Sequence, residues 1–132
     1  MPFVLDASVV LTALFPDERN IQADSILAQL QFDRAVVPAH WWFETRNALV
    51  MAERRNRVSG DQIAAFLRRL SSFEVSIAPL PDENAVLALA RYRRLTFYDA
   101  AYLELAKREH YTLATFDHEL IAAANAERVP LA

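Results

Sequence analysis

Residues 3–8 read Phe3-Val4-Leu5-Asp6-Ala7-Ser8, a short apolar run closed by a carboxylate. A continuous apolar run, rather than one alternating with polar residues, is the pattern of a strand covered on both faces, as in a parallel sheet. Runs of the same kind, rich in β-branched residues, recur at 35–37 before Pro38, at 75–78 before Pro79 and at 112–114, with a weaker fifth at 129–131. Helical patterns fill the intervals. Residues 21–31 repeat Ile21, Ala23, Ile26, Leu27 and Leu30, and residues 39–57 make a long helix ending in arginines. Ser59 and Gln62 form a capping box for a helix through Leu70, Asp82 caps one through Arg94, and residues 98–109 and 118–127 supply two more. Strands alternating with helices imply right-handed βαβ crossovers, hence a three-layer α/β/α sandwich with a central parallel sheet of four to five strands. At 132 residues a single domain, 1–132, is expected.

Composition narrows the chemistry. The chain has no cysteine, which excludes a disulfide framework, a cysteine zinc site and a thiol nucleophile. Gly60 is the only glycine, so neither a dinucleotide fingerprint nor a P-loop can be written. Net charge is −3, yet thirteen of the fourteen basic residues are arginine, the planar fork that pairs bidentately with phosphate or carboxylate. Arg54, Arg55 and Arg57, with Arg68 and Arg69, form one cluster and Arg91, Arg93 and Arg94 a second; solvated helix ends and a phosphate-facing role are equally compatible with them. The apolar first fifteen residues lack a basic lead and are interrupted by Asp6, and no 18-residue apolar run exists. A cytoplasmic protein without a membrane span is expected.

In open parallel sheets ligands sit beyond the carboxyl ends of the strands. Asp6 closes the first strand and Asp117 follows the fourth in Leu113-Ala114-Thr115-Phe116-Asp117. Each alone reads most simply as a helix N-cap. Glu44 lies in the second turn of the helix after the second strand and has no basic residue at i+3 or i+4. Asp99 lies on an apolar stripe with Leu95, Tyr102, Leu103 and Ala106, while Glu104, Lys107 and Arg108 are placed on the opposite face; a Thr96–Asp99 capping box is its plainer explanation. Chain direction nevertheless brings all four acids to one edge of the sheet. Four carboxylates about 5 Å apart repel by roughly 3 kcal/mol per neighbouring pair at an effective dielectric near 20. Independent caps have no reason to meet, whereas a hard divalent cation requires such a cluster. All-oxygen ligation selects Mg²⁺ or Mn²⁺, and Ser8 and Thr115 stand close enough in sequence to hold waters, with Asn47 one turn from Glu44. Water acidified by such an ion is a nucleophile, and hydrolysis of a phosphodiester is the reaction expected. Trp41 and Trp42 beside Glu44, with the arginines, add RNA binding as an expectation, by stacking and phosphate contact.

The strings Val4-Leu5-Asp6-Ala7-Ser8, Glu44 with Asn47, Tyr98-Asp99-Ala100-Ala101-Tyr102-Leu103-Glu104-Leu105-Ala106 and Leu113-Ala114-Thr115-Phe116-Asp117 together resemble the PIN-domain nucleases, and more narrowly the VapC toxins of prokaryotic toxin–antitoxin pairs. The resemblance spans nearly the whole chain. It implies a PIN-like fold, Mg²⁺- or Mn²⁺-dependent ribonuclease activity, a homodimer, and a VapB-like antitoxin that blocks the site. By residue it implies Asp6, Glu44, Asp99 and Asp117 as an acidic quartet and Thr115 as a supporting hydroxyl. One departure is His110-Tyr111 in the turn before the fourth strand, where relatives often carry glycine. Two binding modules are the alternatives. A receiver-type module needs an acceptor Asp directly after the third strand and a Lys near the site, and Asp82 and Lys107 fit neither place; a catalytically silent PIN-like protein would not need an intact quartet. A haloacid-type phosphatase would need D-x-D-x-T, and Asp6-Ala7-Ser8 lacks the second Asp.

Overall fold

All three residues of the first strand, β1 (Phe3–Leu5), are 0% exposed. Successive side chains of a strand leave on opposite faces, so complete burial means that both faces are covered. The computed structural model describes residues 1–15 and 20–132. After β1 come α1 (Ala7–Leu14), α2 (Ile21–Gln29), β2 (Ala35–Val37), α3 (His40–Arg54), α4 (Gly60–Ser71), β3 (Val75–Ile77), α5 (Glu83–Arg93), α6 (Phe97–Glu109), β4 (Thr112–Ala114) and α7 (His118–Ala126). The four strands form one sheet in the order β3-β2-β1-β4, every pair parallel, with Val4 opposite both Val36 and Leu113. This is the expected α/β sandwich. The weak fifth run does not make a strand. It contributes a single parallel bridge, Leu113 to Leu131, because Pro130 has no N–H to continue a ladder.

The order places β1 at the switch point, with the chain winding to β2 and β3 on one side and to β4 on the other. A crevice opens at such a point beyond the carboxyl ends of the strands. The helix packing supports it: α1 packs on α2 and α3, while α6 lies against β1 and β4 and packs on α5 and α7. Residues 100–106 of α6 are all buried, Tyr102 and Leu103 completely. That corrects the expectation of a solvated face through Glu104. Glu104 is only 5% exposed, and its carboxylate is held by Arg108 one turn on, with Arg108 Nε donating to Oε1 at 2.8 Å. A buried carboxylate is tolerable on these terms because its charge is paired and hydrogen-bonded.

The capping signals are realised locally. Ser59 and Gln62 make both halves of the expected capping box, and the side chain of Asp82 accepts from the Asn84 N–H. The lone glycine is not spent on backbone freedom. Gly60 is the first residue of α4, whereas four non-glycine residues, Asn56, Arg94, His110 and Arg128, take positive φ among the described residues. His110 closes α6 at φ 58°, the left-handed conformation that glycine adopts without a Cβ clash. Replacing exposed His110 by Gly should relieve about 1–2 kcal/mol of strain and return part of it as unfolded-state entropy. We expect a net gain of about 0.5–1 kcal/mol, seen as a higher urea midpoint at unchanged slope. An unchanged or lower midpoint would contradict the strain assignment.

Candidate active site

Asp6, the residue that ends β1, precedes α1 in the N-cap position, but its side chain caps nothing. Its Oδ2 accepts two hydroxyl hydrogen bonds instead, from Ser8 Oγ at 2.6 Å and Thr115 Oγ1 at 2.7 Å. Each hydroxyl in turn accepts a backbone N–H from the segment after β4: Phe116 N–H donates to Ser8 Oγ and Asp117 N–H to Thr115 Oγ1, both at 3.1 Å. The protons of Ser8 and Thr115 are thus committed to Asp6, and one lone pair on each accepts an amide of the segment after β4, which ties the end of β1 to the end of β4. Asp6 and Thr115, at 6% and 7% exposed, are among the few buried polar residues of the protein.

The other three acids arrive from three further elements. Asp117 is a true N-cap of α7, its Oδ1 accepting from Leu120 N–H at 2.9 Å, and it also lines the cleft shared by the other acids. Asp99 occupies the third position of α6. There Thr96 Oγ1 accepts the Asp99 N–H at 3.1 Å, so the cap is carried by Thr96. Glu44, one turn into α3, meets Tyr102 of α6, whose hydroxyl donates to Oε1 at 2.6 Å, and His40 Nε2 lies 3.6 Å from the same oxygen. Asp6, Glu44, Asp99 and Asp117 line one cleft of about 350 Å³, together with Ser8 and Asn47. Ala7, Leu11 and Ala48 complete its wall.

The four carboxylates feel one another. Burial raises the Asp6 carboxyl, the Ser8 and Thr115 hydrogen bonds oppose that, and Asp117 adds repulsion. Burial raises Glu44, the Tyr102 hydroxyl opposes it, and Asp6 repels it. Asp99 is pushed up from 3.8 to about 6, by burial first and then by the charges of Asp117, Asp6 and Glu44 in turn. Among the described residues no three of these side chains gather tightly enough to enclose an ion as they stand. The fit to a cation is instead decided by chemistry: four hard oxygen donors of like charge, from four elements, share one cleft, and burial with neighbouring charge raises the carboxyls of Asp6, Glu44 and Asp99. A hard divalent cation is what such a donor set suits.

That electrostatic strain has a measurable sign. Asp99 binds its proton more tightly folded than unfolded, so metal-free protein pays for the charge above pH 6 and recovers the cost as pH falls toward 3.8. Asp99→Asn should therefore melt higher than wild type at pH 7.5 without metal, with the gap closing by pH 4. Equal melting temperatures across that range would show that the cleft charges do not interact.

The remaining expected residues divide. Trp41 is 3% exposed and belongs to the core, whereas Trp42 is 45% exposed with the Arg46 guanidinium 4.6 Å from its ring centroid. Arg54, Arg55 and Arg57 are exposed and none lines the cleft. α3 carries Arg54 about 15 Å along its axis from Glu44, at 1.5 Å per residue over ten residues. Arg57 lies over the Phe15 ring at 4.2 Å. Sequence reasoning missed Tyr102 as a site residue, counting it in the apolar stripe of α6; its spacing of three from Asp99 was the available signal.

Comparison with known proteins accords with this geometry. The PIN domain family model matches residues 3–126. The chain is 42% identical over 81 residues to Exonuclease VapC9 of Pyrobaculum aerophilum, covering 61% of this chain and 59% of that one. It is 30% identical over 123 residues to Ribonuclease VapC3 of the same organism, covering 91% and 92%. The crystal structure of PAE2754 from Pyrobaculum aerophilum superposes with a TM-score of 0.71 at 29% identity, over 93% of this chain and 79% of that one. No helix among the described residues is long and apolar enough to cross a membrane. With the parallel sheet, the cleft at its switch point and a family match over nearly the full length in agreement, the chain belongs to the PIN-domain family, among its VapC-like members.

Proposed function

We propose that this protein is a Mg²⁺- or Mn²⁺-dependent ribonuclease that hydrolyses phosphodiester bonds, acting as the toxin of a toxin–antitoxin pair. One observation carries the reading: Asp6, Glu44, Asp99 and Asp117 share a cleft at the switch point of the sheet, where burial first and then the neighbouring charges push Asp99 up to about 6. The names of the relatives, an exonuclease and a ribonuclease, support the reaction class. A divalent cation in this cleft supplies Lewis acidity toward water and phosphate. The chain's own residues supply the rest. Ser8 and Thr115 hold Asp6 in one orientation, Tyr102 holds Glu44, and Thr96 and Leu120 fix the helix starts that carry Asp99 and Asp117. Asn47 on the cleft wall adds a neutral polar contact.

Trp42, exposed two residues before Glu44 in sequence but outside the cleft and with Arg46 over its ring, offers an unpaired base a stacking surface at the margin of the site, and Arg54 at the end of α3 with Arg55 and Arg57 just beyond it offers charge to more distant phosphates. A single domain over residues 1–132, a homodimer, a VapB-like antitoxin that occludes the cleft, and a cytoplasmic setting complete the proposal. The test is cleavage of an RNA panel by purified protein with Mg²⁺ or Mn²⁺, against the same reactions with EDTA. Activity that survives chelation would refute metal dependence, and no cleavage with either ion would refute the nuclease reading.

A further inference from the structure

The proposed metal reading names four acids but leaves open what aims the least constrained of them. Glu44 is the longest of the four side chains and is half exposed at 38%, so its carboxylate has the most rotamer freedom to lose on binding a cation. It is not left free. Tyr102 projects from the centre of α6 with 0% exposure and spends its hydroxyl on Glu44 Oε1 at 2.6 Å, across 58 residues of sequence. The His40 ring stands edge-on to Tyr102, centroids 5.0 Å apart, with its Nε2 3.6 Å from that same oxygen. One carboxylate oxygen is thus gripped from the core, and the other is outside that grip.

We propose that Tyr102 is a positioning residue for Glu44: its buried hydroxyl holds Oε1 and so fixes the orientation in which the carboxylate would meet a cation. α6 then does two jobs one turn apart, supplying Asp99 directly and orienting Glu44 of α3 through Tyr102. A bond of this kind fixes ligand orientation before the ion arrives, and loss of such an outer partner characteristically weakens metal binding by about 10–100-fold. Competing structural duty is small. Tyr102→Phe keeps the ring that fills the core and deletes only the oxygen, which donates to Glu44 and also meets the Ala7 backbone amide, so the melts on the same samples read the structural share of its loss.

The inference rests on the metal-dependent reading, and the experiment separates the two. Mn²⁺ binding to metal-free protein is measured by electron paramagnetic resonance for wild type, Tyr102→Phe, Glu44→Gln and the double variant, with circular dichroism melts on the same samples. Tyr102→Phe is expected to raise the Mn²⁺ Kd about tenfold while remaining folded, and to add nothing further in the Glu44→Gln background. Glu44→Asp, which sets the carboxylate back by one methylene and leaves Tyr102 in place, is expected to show a similar loss and serves if Tyr102→Phe fails to fold. Wild-type affinity in either Tyr102→Phe or Glu44→Asp overturns the positioning role, as does an additive double variant. Wild-type protein that binds no Mn²⁺ overturns the metal reading and this inference with it, an outcome distinct from a Tyr102 variant that binds normally.

Discussion

Asp6→Asn and Asp99→Asn are each expected to lower metal-dependent RNA cleavage by about 10³-fold, a loss near 4 kcal/mol of transition-state stabilisation. Each change removes one negative charge from a cleft in which four act on one another, and Asn keeps nearly the same shape. For Asp99 the effect on folding runs the other way. Its carboxyl sits at about 6 because burial and then Asp117, Asp6 and Glu44 all oppose its charge, so neutralising it relieves the metal-free fold at neutral pH. The combination of lost activity and a higher melting temperature is diagnostic, since a merely misfolded variant would lose both. Cleavage by Asp99→Asn within tenfold of wild type, at saturating Mg²⁺, would show that the quartet does not carry the reaction. The expected combination would mean that stability and catalysis trade against each other in this cleft, a pattern common where like charges are held together for function.

How much of this was legible in the sequence differs by level. The sheet was legible because its central strand is buried on both faces, Phe3, Val4 and Leu5 all lying inside, whereas β3, an edge strand of the sheet, has no fully buried residue and leaves Ile77 52% exposed despite its similar apolar run. The start of α4 was legible because a capping box is a local reciprocal contact, set by Ser59 and Gln62 alone. The quartet was legible because chain direction brings the four acids to one sheet edge whatever the details of packing.

What the sequence concealed depends on tertiary partners. Glu104 looks like a surface acid by its neighbours Lys107 and Arg108, yet α6 is buried on most of its circumference and Arg108 turns inward to pair with it. For Ser8 and Thr115 the sequence showed only the near half of the network: Ser8 reaches Asp6 and the Asp117 amide reaches Thr115 across two residues, but Thr115 meets Asp6, and the Phe116 amide meets Ser8, only when β1 and β4 lie side by side. Tyr102 is indistinguishable from a core tyrosine until α3 places Glu44 against it. The arginines after α3 are close to Glu44 in sequence and far from it in space, because a helix spends ten residues travelling about 15 Å.

Removing both hydroxyls from Asp6, by Ser8→Ala with Thr115→Val, is expected to cost roughly 3 kcal/mol of stability near pH 8, since each hydrogen bond to a charged group contributes about 1.5–3 kcal/mol and the losses overlap. Part of that cost is independent of pH, because the Phe116 and Asp117 amides lose their acceptors as well. The rest belongs to the Asp6 carboxylate. Burial already raises its pKa and the two hydroxyls hold it down, so their loss raises it further. An acid whose folded pKa lies above its unfolded one weakens the fold progressively as pH rises between the two, so the double variant's deficit should shrink as pH falls toward 3.8. Adding Asp6→Asn to the double variant removes the titrating charge, so the triple variant's deficit against the Asp6→Asn single variant, measured alongside, should be independent of pH and equal the amide cost. Urea midpoints from pH 4 to pH 8 for the wild type, single, double and triple variants check each part. A deficit equal at both ends would mean that Ser8 and Thr115 serve only to bolt β1 to β4, and that the charge of Asp6 is stabilised by something other than the hydroxyls that touch it.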